Sequence, residues 1–121
     1  MPTATTPLAT EPAPVDAAER ALVYCTVEWS GPERSARPII RQAIALLRAE
    51  AEPIDFDFFI IPEDSTEFEP WLKSHGRPGA LGAASVYWLE SGRVVAFEIN
   101  ALIPGVAGLV ERTRALWGRA A

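Results

Sequence analysis

Residues 23–39 read Val-Tyr-Cys-Thr-Val-Glu-Trp-Ser-Gly-Pro-Glu-Arg-Ser-Ala-Arg-Pro-Ile. The first part belongs to a β-branched and aromatic run, 21–28, with the composition of a buried strand. Trp29-Ser30-Gly31-Pro32 breaks that run. Beyond the break, Ala36, Ile39, Ile40, Ala43, Ile44 and Leu47 recur at the spacing of one helical face, which predicts a half-buried helix from Gly31 or Pro32 to about Glu52. Pro38 should kink it, because an interior proline has no N–H and collides with the preceding turn. Ser30 and Glu33 have the spacing of a capping box, in which each side chain accepts from the other's backbone N–H. If Ser30 is the N-cap, Ser30→Ala should cost ~1 kcal/mol of stability, measurable by urea unfolding.

Working outward, residues 54–61 (Ile-Asp-Phe-Asp-Phe-Phe-Ile-Ile) alternate as a second strand, and Pro62 ends it. Residues 63–76 begin acidic and carry Phe68, Trp71 and Leu72, a short helix with Pro70 in its first turn and Gly76 at its end. Residues 84–89 and 93–99 flank Glu90-Ser91-Gly92, a connection suited to a hairpin. Pro104 opens a last helix with Val106, Leu109, Val110, Thr113 and Trp117 on one face and Gly118 as its cap. The order β-α-β-α-β-β-α implies a right-handed parallel crossover and an antiparallel hairpin in one mixed four-stranded sheet. Residues 1–16 hold four Pro, four Thr and three Ala, a composition that predicts a disordered tail ahead of a single domain, 17–121.

The chain has 121 residues, a net charge of −5, 49% apolar residues, one cysteine and one histidine. That length supports a core without disulfides or a structural metal. The solitary Cys25 and His75 exclude a His/Cys zinc site and a cysteine pair within the chain. The acidic balance argues against nucleic acid or an anionic membrane as partner. The beginning of the chain has no basic start and no apolar run of a secretory signal, so the expectation is a cytoplasmic protein.

The element order and the 23–39 string resemble the thioredoxin family. There a hydrophobic strand ends in Glu-Trp-Cys-Gly-Pro-Cys, with a second proline eight residues after the first cysteine. Here Glu28-Trp29-Ser30-Gly31-Pro32-Glu33 occupies that register, and Pro38 lies eight residues after Ser30. Residues 82–89 (Gly-Ala-Ala-Ser-Val-Tyr-Trp-Leu) resemble the family's Gly-Ile-Pro-Thr turn and strand, and residues 90–94 its Lys-Asn-Gly hairpin. The resemblance spans about residues 21–117 and implies a thioredoxin-like three-layer α/β/α sandwich. Its reactive positions are all changed. Ser30 and Glu33 replace both cysteines, Tyr24 stands where the family often keeps a buried Asp, and Ala84 stands where it keeps a cis-proline. With no thiol at the helix start the resemblance implies a redox-inactive member.

Other residue groupings bear on function less directly. Arg34, Arg37, Arg41 and Arg48 fall within about 60° at the roughly 100° per residue of a helix, either a solvated face or a docking strip for an acidic partner. Asp55 and Asp57 have no third ligand beside them, so no metal is expected. Ser30 lacks a nearby base, so no catalytic residue is assigned. Noncatalytic members of the superfamily, among them hydrogenase-assembly chaperones, bind partners. The expectation is therefore a cofactor-free adaptor, assembly factor or chaperone-like module that binds an unidentified protein. Its contact residues would be Trp29, Ser30, Gly31, Pro32, Glu33, Arg34, Arg37 and Arg41, with Ala84 and Ser85 opposite. Two alternatives stand beside it: binding of an anionic or glutathione-like ligand at the helix start, and a structural homodimer joined through the hairpin or a sheet edge.

Overall fold

The computed structural model describes residues 8–27, 31–75 and 84–118. Its elements are α1 (Ala13–Ala17), β1 (Arg20–Thr26), α2 (Gly31–Arg48), β2 (Asp57–Pro62), α3 (Glu69–Ser74), β3 (Val86–Glu90), β4 (Arg93–Glu98) and α4 (Gly105–Trp117). The sheet order is β2-β1-β3-β4. β1 runs parallel to β2 and antiparallel to β3, and β3 pairs antiparallel with β4. The fold is thus the mixed four-stranded α/β sandwich that the sequence pattern implies.

Alternation along the strands divides the interior into two layers. Leu22, Tyr24, Val86 and Trp88 face α2 and α4, where Ile40, Leu47, Leu109 and Trp117 fill the larger core. Val23, Cys25, Tyr87 and Leu89 face the other way, toward α1 and α3, and meet Val15, Phe68, Trp71 and Leu72. β1 sits between two strands and is buried at its five central residues, as a strand covered on both faces must be. The β3–β4 hairpin turns at Ser91 and Gly92 with φ of 50° and 81°. Two successive positive φ values make the tight turn whose twist matches a hairpin.

Residues 8–16 depart from the expected disordered tail. Leu8 bridges Ile60 in parallel, and the Ala9 N–H donates to the Ile60 carbonyl at 2.9 Å. Pro14 lies in the first turn of α1, Val15 is fully buried, and Asp16 accepts the Trp71 indole N–H at 2.9 Å. Proline richness points to disorder, yet the burial of Val15, the pairing with Ile60 and the Trp71 hydrogen bond to Asp16 anchor the segment.

Other differences are of extent. α2 ends at Arg48 rather than near Glu52, and β2 begins at Asp57 rather than Ile54. Pro38 lies within α2 with its ring exposed, and the helix continues past it to Arg48. Gly118 follows α4 as expected, but with φ −70° rather than a left-handed conformation. Its glycine is required by close approach: a Cβ there would lie 2.4 Å from the Arg114 carbonyl oxygen. No helix among the described residues is long and apolar enough to cross a membrane.

Candidate functional site

The start of α2 follows β1, and the facing strand positions determine what lies beneath it. Tyr24 points from the middle of β1 toward the α2 layer and is buried. A buried phenol needs a partner. Its hydroxyl lies 2.8 Å from Glu33 Oε2 and 2.9 Å from the Glu33 carbonyl oxygen, and donates to these two acceptors. Glu33 itself is fully buried in the first turn of α2. One helical turn on, Arg37 closes over the carboxylate with a fork, Nε to Oε2 at 2.8 Å and Nη2 to Oε1 at 2.6 Å. The same Nη2 donates to Thr26 Oγ1 at 3.3 Å. A Glu four residues before an Arg is the favoured order for such a pair on a helix.

The electrostatics follow from the geometry. Burial alone would push the Glu33 carboxyl up, but donors from Arg37, Tyr24 and Thr26 outweigh it and hold the group below its ordinary value. Burial, and then the hydrogen bond to the Glu33 anion, push the Tyr24 phenol well above its ordinary value. Glu33 is therefore held ionised and Tyr24 held protonated. Neither can serve as an acid or base exchanging protons near neutrality. At the first turn the carboxylate also meets the positive end of the helix dipole.

On the other side of the sheet's C-terminal end, Ala84 and Ser85 precede β3. Ala84 is fully buried with φ 63°, a left-handed conformation that costs an alanine about 1–2 kcal/mol. The neighbours hold it there. Its carbonyl accepts from Ala101 N–H at 3.0 Å, the Ser85 carbonyl accepts from Cys25 N–H at 3.0 Å, and Ser85 Oγ donates to the Ile99 carbonyl at 2.9 Å. The turn is fixed from both β1 and the segment after β4.

Of the residues expected at the site, Glu33, Arg37, Ala84 and Ser85 have these settings, while Gly31, Arg34 and Arg41 are exposed on α2. Trp29 and Ser30 lie outside the described residues, as does the Ser30 half of the capping box. The arginine stripe is not uniform. Arg37 turns inward to Glu33, and Arg48 lies over the Phe56 ring at 4.1 Å. The sequence pattern did not reveal the buried partnership of Tyr24 with Glu33, although a Glu33/Arg37 spacing of four and a tyrosine in a buried strand were the signals. Cys25 points into the opposite core layer from Glu33 and is buried. No group of three or more His, Cys, Asp or Glu among the described residues could hold a metal ion.

No protein-family model matches the sequence, and no curated protein matches it. Solved structures do match in shape. Thioredoxin f2 of Chlamydomonas reinhardtii superposes with a TM-score of 0.66 at 12% identity, over 93% of this chain and 97% of that one. A mutant thioredoxin of Halobacterium salinarum gives 0.65 at 12% identity over 98% and 99%. Human ERp44 gives 0.61 at 16% identity, over 95% of this chain but 30% of its own. With the layers, the sheet order and these superpositions in agreement, the chain has a thioredoxin-like fold, and it carries one cysteine where the redox members need two.

Proposed function

We propose that this chain is a redox-inactive thioredoxin-fold protein that binds another protein, as an adaptor, assembly factor or chaperone-like module. The observation behind this reading is the clamp at the α2 start. Where the resemblance puts the second of the two cysteines, Glu33 is a buried anion held by Tyr24 and Arg37. Such a cluster stiffens the surface above it and offers no nucleophile. Around it Gly31, Arg34 and Arg41 stay exposed, a cationic helix start suited to an acidic partner surface. Fold alone does not assign a role, so the reading rests on these residues. An ionised carboxylate in the first turn weighs against an anionic or glutathione-like ligand at the same helix end.

Two measurements test this. Insulin reduction by dithiothreitol should proceed no faster with the protein than without it, and turnover above background would overturn the redox-inactive reading. A protein captured from the native host should bind less to Trp29→Ala and to Arg34→Glu/Arg41→Glu. Equal capture by every variant would remove this surface from the role. Arg37 is unsuitable for that test because its loss would leave Glu33 buried without its cation.

A further inference from the structure

The two edges of the sheet differ. The outer side of β2 is bridged by Leu8 and Ala9. Among the described residues no strand pairs with the outer side of β4. That open edge is unusually apolar. Val95 is 41% exposed, Phe97 49% and Ile99 48%, and Ile103 in the following turn is 74% exposed. A row of half-exposed apolar side chains on an unpaired strand is the pattern of a pairing surface.

The sequence of β4 indicates what could pair there. Arg93-Val94-Val95-Ala96-Phe97-Glu98 is self-complementary when laid antiparallel on a second copy. About a two-fold axis between Val95 and Ala96, Arg93 of one copy opposes Glu98 of the other, and Val94 opposes Phe97. Opposed residues in an antiparallel pair must project from the same face. In a regular strand, residues 93 and 98 would project from opposite faces. The irregularity in β4 removes that obstacle. Leu89 pairs with Val94 and Trp88 with Ala96, so Val95 is an extra residue that reverses the alternation. Arg93 and Glu98 then share a face, opposite Glu90 and Val86 of β3, while Val94 and Phe97 share the other, opposite Leu89 and Tyr87. Bulges commonly blunt an edge, but here the bulge brings the charges and the apolar residues each onto a matching face. The Arg93 side chain makes no ion pair among the described residues, and the Glu98 carboxylate has one exposed partner, Arg112, at 3.1 Å.

We propose that β4 is the interface of a two-fold homodimer, formed by antiparallel pairing of Arg93–Glu98 with its counterpart in a second copy. The sheet then continues across the axis, with Arg93 against Glu98 at both ends and Val94 against Phe97 inside them. The site lies on the far edge from the α2 start, so this proposal and the partner-binding reading stand or fall separately.

Sedimentation velocity of the intact chain tests it, through a concentration series to about 1 mM, the range in which a weak interface is still populated. A monomer–dimer equilibrium is expected, with Phe97→Asp monomeric throughout. Arg93→Glu and Glu98→Arg should each weaken self-association about tenfold, since two symmetric pairs become like-charged. Mixed together, those two variants should recover the wild-type affinity as a heterodimer, because each supplies the charge the other lacks. That recovery does not depend on small changes in the stability of either monomer. Near-UV circular dichroism identifies any variant that fails to fold, and Val95→Lys replaces Phe97→Asp in that case. A wild type monomeric at the highest concentration overturns the proposal. So does a mixture no tighter than its components, or an edge that captures a strand of a different protein while the chain alone stays monomeric.

Discussion

Arg37→Ala is expected to lower the free energy of unfolding by about 2–3 kcal/mol near neutral pH. Removing one member of a buried pair typically costs about 3–5 kcal/mol, because a charge is left buried without compensation. Arg37 is about a third exposed, so water reaching the gap screens Glu33 and reduces the figure. Tyr24 would remain as a donor but cannot neutralise the charge. Glu33→Gln keeps an acceptor for Tyr24 and lets the Arg37 guanidinium turn to solvent, so its cost should be smaller. The double variant should therefore be more stable than Arg37→Ala alone, a coupling that separates a charge effect from a general loss of packing. Urea unfolding followed by tryptophan fluorescence reads all three. An Arg37→Ala protein within about 0.5 kcal/mol of wild type would mean the carboxylate is not held as a buried charge.

The same cluster fixes a pH dependence. The folded-state pKa of Glu33 is lowered, so its contribution is present above its ordinary value of 4.5 and is lost as pH falls through the folded value. The advantage of wild type over Glu33→Gln should thus shrink on acidification. The folded-state pKa of Tyr24 is raised, so its contribution is present below its ordinary value of 10.0 and is lost as pH rises above that. Tyr24→Phe should lose less stability than wild type in that alkaline range.

The strand, helix and hairpin order could be read because it depends on local alternation and on punctuation such as Pro62, Ser91-Gly92 and Pro104. The candidate site was only partly readable. Glu33 has two local partners in the sequence, Ser30 three residues back and Arg37 four residues on, and spacing alone does not choose between them. A second local partner is visible in sequence; whether the carboxylate faces solvent or the sheet is not, because that depends on Tyr24 arriving from a neighbouring strand. Ala84 illustrates a different limit. Alanine prefers right-handed backbone, yet hydrogen bonds from Ala101 and Cys25 and to Ile99 hold its turn at φ 63°. Val15 is the converse, one residue whose burial overrides the composition around it. The sequence suggests the hairpin or some sheet edge as a joint, but that β4 is the open edge depends on the strand order, and the face-reversing bulge at Val95 on register, neither of which is encoded locally.

Trp88→Ala should cost about 3–5 kcal/mol of stability. Trp88 is fully buried near the middle of β3, opposed by Leu22 on one side and Ala96 on the other, and it fills the layer under α4. Its indole N–H donates to Thr113 Oγ1 at 3.0 Å, and that hydroxyl donates to the Leu109 carbonyl at 2.8 Å. Truncation removes the ring contacts, leaves a cavity the sheet cannot close, and breaks this chain of donors. For a domain of total stability about 5–15 kcal/mol, the loss takes a third or more of the whole. Thr113→Val leaves the indole N–H without its acceptor and should cost about 1–3 kcal/mol. In a Trp88→Ala background the same change should cost less, since no indole remains to be orphaned. The effect should also reach the sheet edge. Arg112 lies over the Trp88 ring at 5.6 Å and pairs with Glu98 on β4. Losing the ring releases Arg112 and loosens the end of β4 that the homodimer needs. Hydrogen exchange of the β4 amides should therefore accelerate in Trp88→Ala under conditions where the protein remains folded. Unchanged exchange there would mean that α4 and the edge strand are not linked through Trp88.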